Sequence, residues 1–172
     1  MASMLKNRHA LRKKEIKNLK SQIEEIYSCK LSDDIKMEVA KLFDLEVILV
    51  DNAVDFIFLD SKPLFTLTSI EKYQPKRKFV TVDKGAVRFV TNGADVMVPG
   101  IVDADRDIKE KDPVWIREET YGKAIAVGIS MMNGDDLVEL EKGKGIKNIH
   151  WIGDRIWKFT TLYSDRSSLR RS

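Results

Sequence analysis

The chain has 172 residues, with 30 Lys and Arg against 27 Asp and Glu, two His and one Cys. At roughly 100–200 residues per domain this is one ordinary domain or two small ones, which excludes a large multidomain enzyme. An apolar content of 43% is enough to build a core, and no run approaches the ~18–20 apolar residues of a membrane span. The lone Cys29 excludes an internal disulfide and any multi-cysteine zinc site, which fits a reducing cytoplasm. The start, MASMLKNRHALRKKE, has no apolar stretch after its positive charges, so no secretory leader is expected.

In chain order, Leu11, Ile16, Leu19, Ile23 and Ile26 mostly recur at helical steps, and residues 9–28 read as an amphipathic helix. Its polar face carries Lys13, Lys14, Lys17 and Lys20. Ser32-Asp33-Asp34 resembles a cap that opens a short helix through Val39, Ala40 and Leu42. The period then changes. Residues 46–50 and 55–59 are β-rich runs joined by Asp51-Asn52-Ala53-Val54, a hairpin signal, and residues 62–67 give a third strand. The polar stretch from Ser69 to Lys78 contains Pro75 and marks a boundary.

The second half opens with a strand at 79–82, then Asp83 as the N-cap of a short helix that ends at Asn92-Gly93. Strands are expected at 95–98, 114–117 and 123–129, with a short helix after Asn133-Gly134 whose first turn holds Asp135 and Asp136. Residues 145–159 read as strands holding Trp151 and Trp157. The reading is α+β: an N-terminal domain over 1–75, a β-barrel-like domain with short helices over 76–160, and a flexible basic tail over 161–172.

The net charge of +3 is an average over clusters. Lys6, Arg8, Arg12, Lys13, Lys14, Lys17 and Lys20 stand near the start, Lys76-Arg77-Lys78 at the junction, and Lys142, Lys144 and Lys147 late in the chain. Three clusters in a small protein point to a polyanion partner. Catalytic signals are thin. Asp103, Asp105 and Asp107 copy the start of an EF-hand loop, but Ile108 and Val114 stand where Gly and Glu are needed. Gly143-Lys144-Gly145 lacks the spacing of a phosphate-cradling loop, and His9 and His150 have no neighbouring ligand partners. No catalytic residue, metal or cofactor is expected, and the chain is read as a binder, not an enzyme.

One stretch is specific. Asp83-Lys84-Gly85-Ala86-Val87-Arg88-Phe89-Val90, then Asn92-Gly93-Ala94-Asp95-Val96-Met97-Val98-Pro99-Gly100-Ile101, resembles the opening signature of the PUA domain, an RNA-binding module. Asp112-Pro113-Val114-Trp115, Ala126-Val127-Gly128, residues 142–150 and Gly153-Asp154-Arg155-Ile156-Trp157 follow in order. The last two blocks are similar to those of the malignant-T-cell-amplified-sequence proteins, their archaeal relatives and the N-terminal part of initiation factor 2D. The N-terminal half matches that family more loosely, through residues 46–60 and Pro63-Leu64-Phe65-Thr66.

The resemblance implies a pre-PUA domain followed by a PUA domain, and a cytoplasmic translation role. It implies binding to tRNA or rRNA, with a tRNA 3′ end on the small ribosomal subunit as the target and a density-regulated-protein-like partner. By position it assigns RNA contact to Lys84, Gly85, Arg88, Asn92, Gly93, Ala94, Pro99 and Gly100, with Lys144 and Lys147 from the late strand. Arg8, Arg12, Lys13, Lys14 and Lys17 form a second candidate surface for RNA or a partner. Asp154, Trp115, Trp151 and Trp157 are read as packing and turn residues. Two alternatives stand beside this reading: an accessory specificity subunit of an RNA-modification enzyme, and a protein-interaction scaffold.

Overall fold

The computed structural model describes residues 4–162. The chain divides into two compact units, one running to Pro75 and including the segment from Arg155, the other spanning Lys76–Asp154. Both mix short helices with sheets, and the fold is α+β.

The first unit is built on a five-stranded sheet in sequential order: β1 (Leu5–Ala10), β2 (Met37–Leu42), β3 (Leu45–Val50), β4 (Ala53–Leu59) and β5 (Lys62–Phe65). All neighbours are antiparallel. Residues Asp51 and Asn52 turn the chain between β3 and β4 with φ of 48° and 74°, and Asp60 and Ser61 do so after β4 at 50° and 62°. Such two-residue turns match the twist of paired strands, and short polar side chains tolerate the left-handed region.

Helix α1 (Lys13–Tyr27) buries Leu19, Ile23 and Tyr27, spaced by one helical turn. The Tyr27 hydroxyl donates to the Pro63 carbonyl at 2.6 Å, and its ring lies 4.5 Å from that of Phe65. Phe56 and Tyr73 complete this aromatic cluster; Tyr73 belongs to α2 (Leu67–Tyr73).

Several expectations change here. The first helix begins at Lys13, because residues 5–10 pair with β2 as a strand. That strand buries only Leu5, so it leaves no alternation to read. The helix expected after Ser32-Asp33-Asp34 is β2, whose backbone pairs on both sides, with β1 and β3. The polar stretch after Ser69 is not a bare linker: α2 occupies its start, with Ser69 Oγ donating to the Asp55 carbonyl at 2.7 Å.

In the second unit, six strands follow the order β7-β11-β10-β9-β6-β8. They are β6 (Phe79–Val82), β7 (Val96–Met97), β8 (Ile101–Ala104), β9 (Pro113–Glu118), β10 (Ala124–Ser130) and β11 (Lys144–Trp151). Only the β6–β9 pairing is parallel. Register shifts interrupt four of the ladders, and such bulges bend strands toward a nearly closed barrel. Val80, Val82, Ile116, Ala126 and Ile146 fill the interior, joined by Val90 of helix α3 (Val87–Val90) and Leu137 of helix α4 (Gly134–Glu139).

The end of the chain departs from the strands expected over 145–159. β11 stops at Trp151, and residues 155–162 form a helix, α5. It buries Ile156, Phe159 and Thr160, and the Arg155 guanidinium lies 4.5 Å from the Phe43 ring. Residues 155–162 therefore belong to the first unit, and the segment expected to run over 76–160 ends at Asp154. His150 Nδ1 lies 2.9 Å from an Asp154 oxygen, and the Trp151 amide donates to the same carboxylate at 3.1 Å. This buried pair shapes the turn that leaves β11, which explains Asp154 as a structural residue. Most of the expected basic tail, residues 163–172, lies outside the described residues.

Candidate nucleic-acid interface

In the second unit β6 leads directly into a tight turn. Asp83 Oδ1 accepts the Ala86 amide at 2.8 Å and caps the 3₁₀ turn Lys84–Ala86, which continues into α3. The helix stops at Asn92-Gly93, where Gly93 has φ of +92°. After β7, a second 3₁₀ turn (Val98–Gly100) with Pro99 leads to β8. The Asp83 amide donates to the Gly100 carbonyl at 2.8 Å, so both turns are tied together.

Between these segments opens a cleft of about 550 Å³. Its walls are mostly apolar, from Ala86, Phe89, Val90, Val96, Met97 and Pro99. Gly85, Ala94 and Gly100 line it without bulk, and Asp83 and Asp95 contribute the carboxylates. Of these lining residues, Phe89 is 54% exposed and Met97 49% exposed, which leaves two large apolar side chains open to solvent.

Four residues singled out from sequence thus line the cleft: Gly85, Ala94, Pro99 and Gly100. Lys84, Arg88 and Asn92 are exposed on the adjoining turn and helix. The Arg88 guanidinium lies 4.7 Å from the Phe89 ring centre, and the Lys84 amide is held by the Glu119 carboxylate at 3.0 Å. Lys144 does not line the cleft; it stands on β11 opposite Met97 of β7, with its ammonium 3.0 Å from Asp95. Lys147 is exposed on the same strand, and its charge also favours ionised Asp95. Gly93 serves packing instead: a Cβ there would stand 2.7 Å from the Trp151 indole. That contact and its positive φ account for the glycine without a ligand.

Asp95 is held from two sides. Burial pushes its carboxyl pKa up, but the Asn148 amide and the Lys144 ammonium outweigh it and hold the value below the ordinary range. Asn148 is a positioning residue that the sequence reading missed. Its Nδ2 donates to the carbonyls of Val90 at 3.0 Å and Ala94 at 2.9 Å, fixing helix end and loop onto β11. Phe89 and Met97 were missed as well. In a four-residue helix whose Val90 points inward, the neighbouring Phe89 falls about 100° away, toward solvent.

The second candidate surface lies in the first unit. Arg8 is engaged by Glu38 at 2.7 Å and Asn52 at 2.7 Å, which offsets much of its charge. The Arg12 amide donates to Glu15 at 3.0 Å, and Arg12, Lys13, Lys14 and Lys17 are exposed around the first turns of α1. In the acidic turn at 103–107, Asp105 accepts the Lys78 amide and Asp107 pairs with Arg77. Among the described residues no group of three or more His, Cys, Asp or Glu is placed to hold a metal, and no helix is long and apolar enough to cross a membrane. Burial raises the Cys29 thiol pKa to about 11, with Glu24 adding to the shift, which makes it a poor nucleophile.

Comparison with known proteins matches residues 78–152 to the PUA domain and residues 7–73 to the Domain of unknown function DUF1947. An uncharacterized protein of Methanocaldococcus jannaschii is 43% identical over 90% of this chain and 98% of its own length. Translation machinery-associated protein 20 of Saccharomyces cerevisiae is 30% identical over 84% of this chain and 87% of its own. Malignant T-cell-amplified sequence 1-A of Xenopus laevis is 32% identical over 68% and 67%. A crystal structure of a hypothetical protein from Pyrococcus horikoshii superposes with a TM-score of 0.78 at 36% identity, covering 89% of this chain and 99% of that one. The chain belongs to the PUA-domain family that includes translation machinery-associated protein 20 and malignant T-cell-amplified sequence 1.

Proposed function

We propose that this chain is an RNA-binding protein of the translation machinery, a binder and not an enzyme. It takes an unpaired nucleotide at the 3′ end of tRNA, on the small ribosomal subunit, into the cleft beside α3. The small subunit and a density-regulated-protein-like chain are its expected companions in the cytoplasm. The observation that carries the reading is the cleft itself. Its volume of about 550 Å³ lies within the ~300–1,000 Å³ typical of small-ligand sites. Apolar walls suit the faces of a base, and Lys84 and Arg88 beside the mouth suit the phosphates that lead to it. The names of the yeast and frog relatives, and the RNA-binding character of the PUA module, support the same reading.

Purified tRNA provides the test. With about five phosphates contacted, log affinity should fall with log salt at a slope of about −3 to −5. Replacing Lys84 and Arg88 together by Ala should weaken binding about tenfold and shallow the slope by about 1.5, at unchanged thermal midpoint, because both side chains are exposed. Unchanged affinity in the double variant would move the site elsewhere. Recovery with a modification enzyme in place of ribosomal subunits would favour the accessory-subunit alternative.

A further inference from the structure

We infer that the cleft selects a base carrying an exocyclic amino group (adenine, cytosine or guanine) over uracil, with Asp83 as the acceptor that makes the choice. The inference rests on the reading of the cleft as the RNA site and adds the identity of the nucleotide it holds.

Charge decides which part of a nucleotide enters. Among the residues lining the cleft, the charged ones are Asp83 and Asp95, both acidic. Lys144 offsets the charge of Asp95 but no described cation pairs with Asp83, so a phosphate against Asp83 is repelled, whereas the edge of a base is neutral and offers donors. The backbone of the RNA therefore stays at the rim, by Lys84 and Arg88, and the base goes in.

The two carboxylates are not equivalent. Both oxygens of Asp95 are already engaged: Oδ1 accepts the Asn148 amide at 2.9 Å and Oδ2 faces the Lys144 ammonium at 3.0 Å. Asp83 commits Oδ1 to the Ala86 amide at 2.8 Å, and its Oδ2 accepts no hydrogen bond from the described residues. Gly85 adds no side chain beside this carboxylate; a Cβ there would lie 3.5 Å from Asp83 Oδ1. A carboxylate oxygen only accepts. Adenine N6, cytosine N4 and guanine N2 present amino hydrogens that satisfy it. Uracil presents a lone N3–H flanked by two carbonyl oxygens, and both would face the carboxylate at a repulsive distance.

The substitution that tests this keeps the fold. Asparagine caps a helical turn as well as aspartate, so Asp83→Asn retains the Oδ1 acceptor for Ala86 and replaces Oδ2 with an amino donor. The probes are fluorescently labelled RNA pentamers of four uridines with a varied 3′-terminal nucleoside. Adenosine is compared with purine riboside, which lacks only the amino group, and cytidine with uridine. With the wild-type chain, the amino-bearing member of each pair should bind about tenfold tighter, the discrimination expected of one charge-assisted hydrogen bond. In Asp83→Asn that preference should vanish or turn toward uridine, because the site then donates where it accepted. Equal binding of the paired pentamers by the wild type, or the same preference in Asp83→Asn, would overturn the inference. If that happens while the Lys84/Arg88 double variant still loses all pentamers, the cleft remains the RNA site and only the base choice falls. Pentamer binding by the double variant equal to the wild type would remove both.

Discussion

Replacing Gly128 by Ala should destabilise the second unit by about 3 kcal/mol or more, the upper range for overpacking a core. Gly128 lies on β10, opposite Asn148 of β11 and Val114 of β9. A Cβ there would stand 2.2 Å from the Lys147 carbonyl oxygen and 2.8 Å from Ile146 Cγ2. The first obstacle is backbone within a paired strand, so it cannot rotate aside as a side-chain tip would. Relief requires pulling β11 from β10, and β11 carries both Asn148 and Lys144. The site should therefore loosen together with the fold, and RNA affinity should fall with stability. Urea denaturation followed by tryptophan fluorescence reads the effect. A change below about 0.5 kcal/mol, the size of an ordinary surface substitution, would mean that the two strands are not packed as described.

The second large effect concerns the first unit and depends on pH. Asp55 on β4 is buried, with Lys72 Nζ 2.7 Å and the Tyr73 hydroxyl 2.5 Å from its Oδ2. Burial pushes its pKa up, and the hydrogen bonds and charge of Lys72 and Tyr73 restore only part of the shift. The folded value thus lies above the unfolded one. The native state binds the proton more tightly, so this contribution to stability is fully present below the unfolded value. It is lost as pH rises through the folded value. Removing the cation with Lys72→Met raises that value further and leaves a buried carboxylate with the tyrosine as its remaining side-chain donor. We expect a loss of about 3 kcal/mol at pH 7, the lower end for breaking a buried pair, since the lysine itself is half exposed. Near pH 4 the loss should be much smaller, because a protonated Asp55 no longer needs the cation. Urea unfolding of wild type and variant at both pH values measures it, and an equal loss at the two would show that charge at Asp55 is not the cause.

How far these features could be read in advance varied with the kind of signal. The turn residues Asp51, Asn52, Asp83 and Gly93 announce their roles locally, through short polar side chains or a left-handed backbone, and the structure uses each for a turn or cap. The cleft lies between two neighbouring stretches of chain, so Gly85, Ala94, Pro99 and Gly100 were within reach of a motif. Long-range arrangements were not. Strand β1 has no apolar alternation and exists because β2 supplies its partners. The apolar residues of α5 are interleaved with polar ones, and its buried face is defined by what it packs on in the first unit. Asn148 and Asp95 meet across 53 residues of sequence, a contact that no spacing rule reveals. Nothing in the sequence marks Phe89 and Met97 as exposed apolar residues, since apolar side chains usually pack inward; the shortness of α3 and β7 leaves them outward.

The most direct test of the central claim is ultraviolet crosslinking of the chain to tRNA, followed by mass spectrometry of the crosslinked peptides. If the cleft holds the nucleotide, adducts should concentrate on residues 84–100, with Phe89 and Met97 prominent because their exposed side chains flank the base. At subsaturating protein they should fall about tenfold in the Lys84/Arg88 double variant, in line with its weaker binding. Adducts confined to the basic turns of α1, with none on residues 84–100, would contradict the assignment and place the RNA on the first unit.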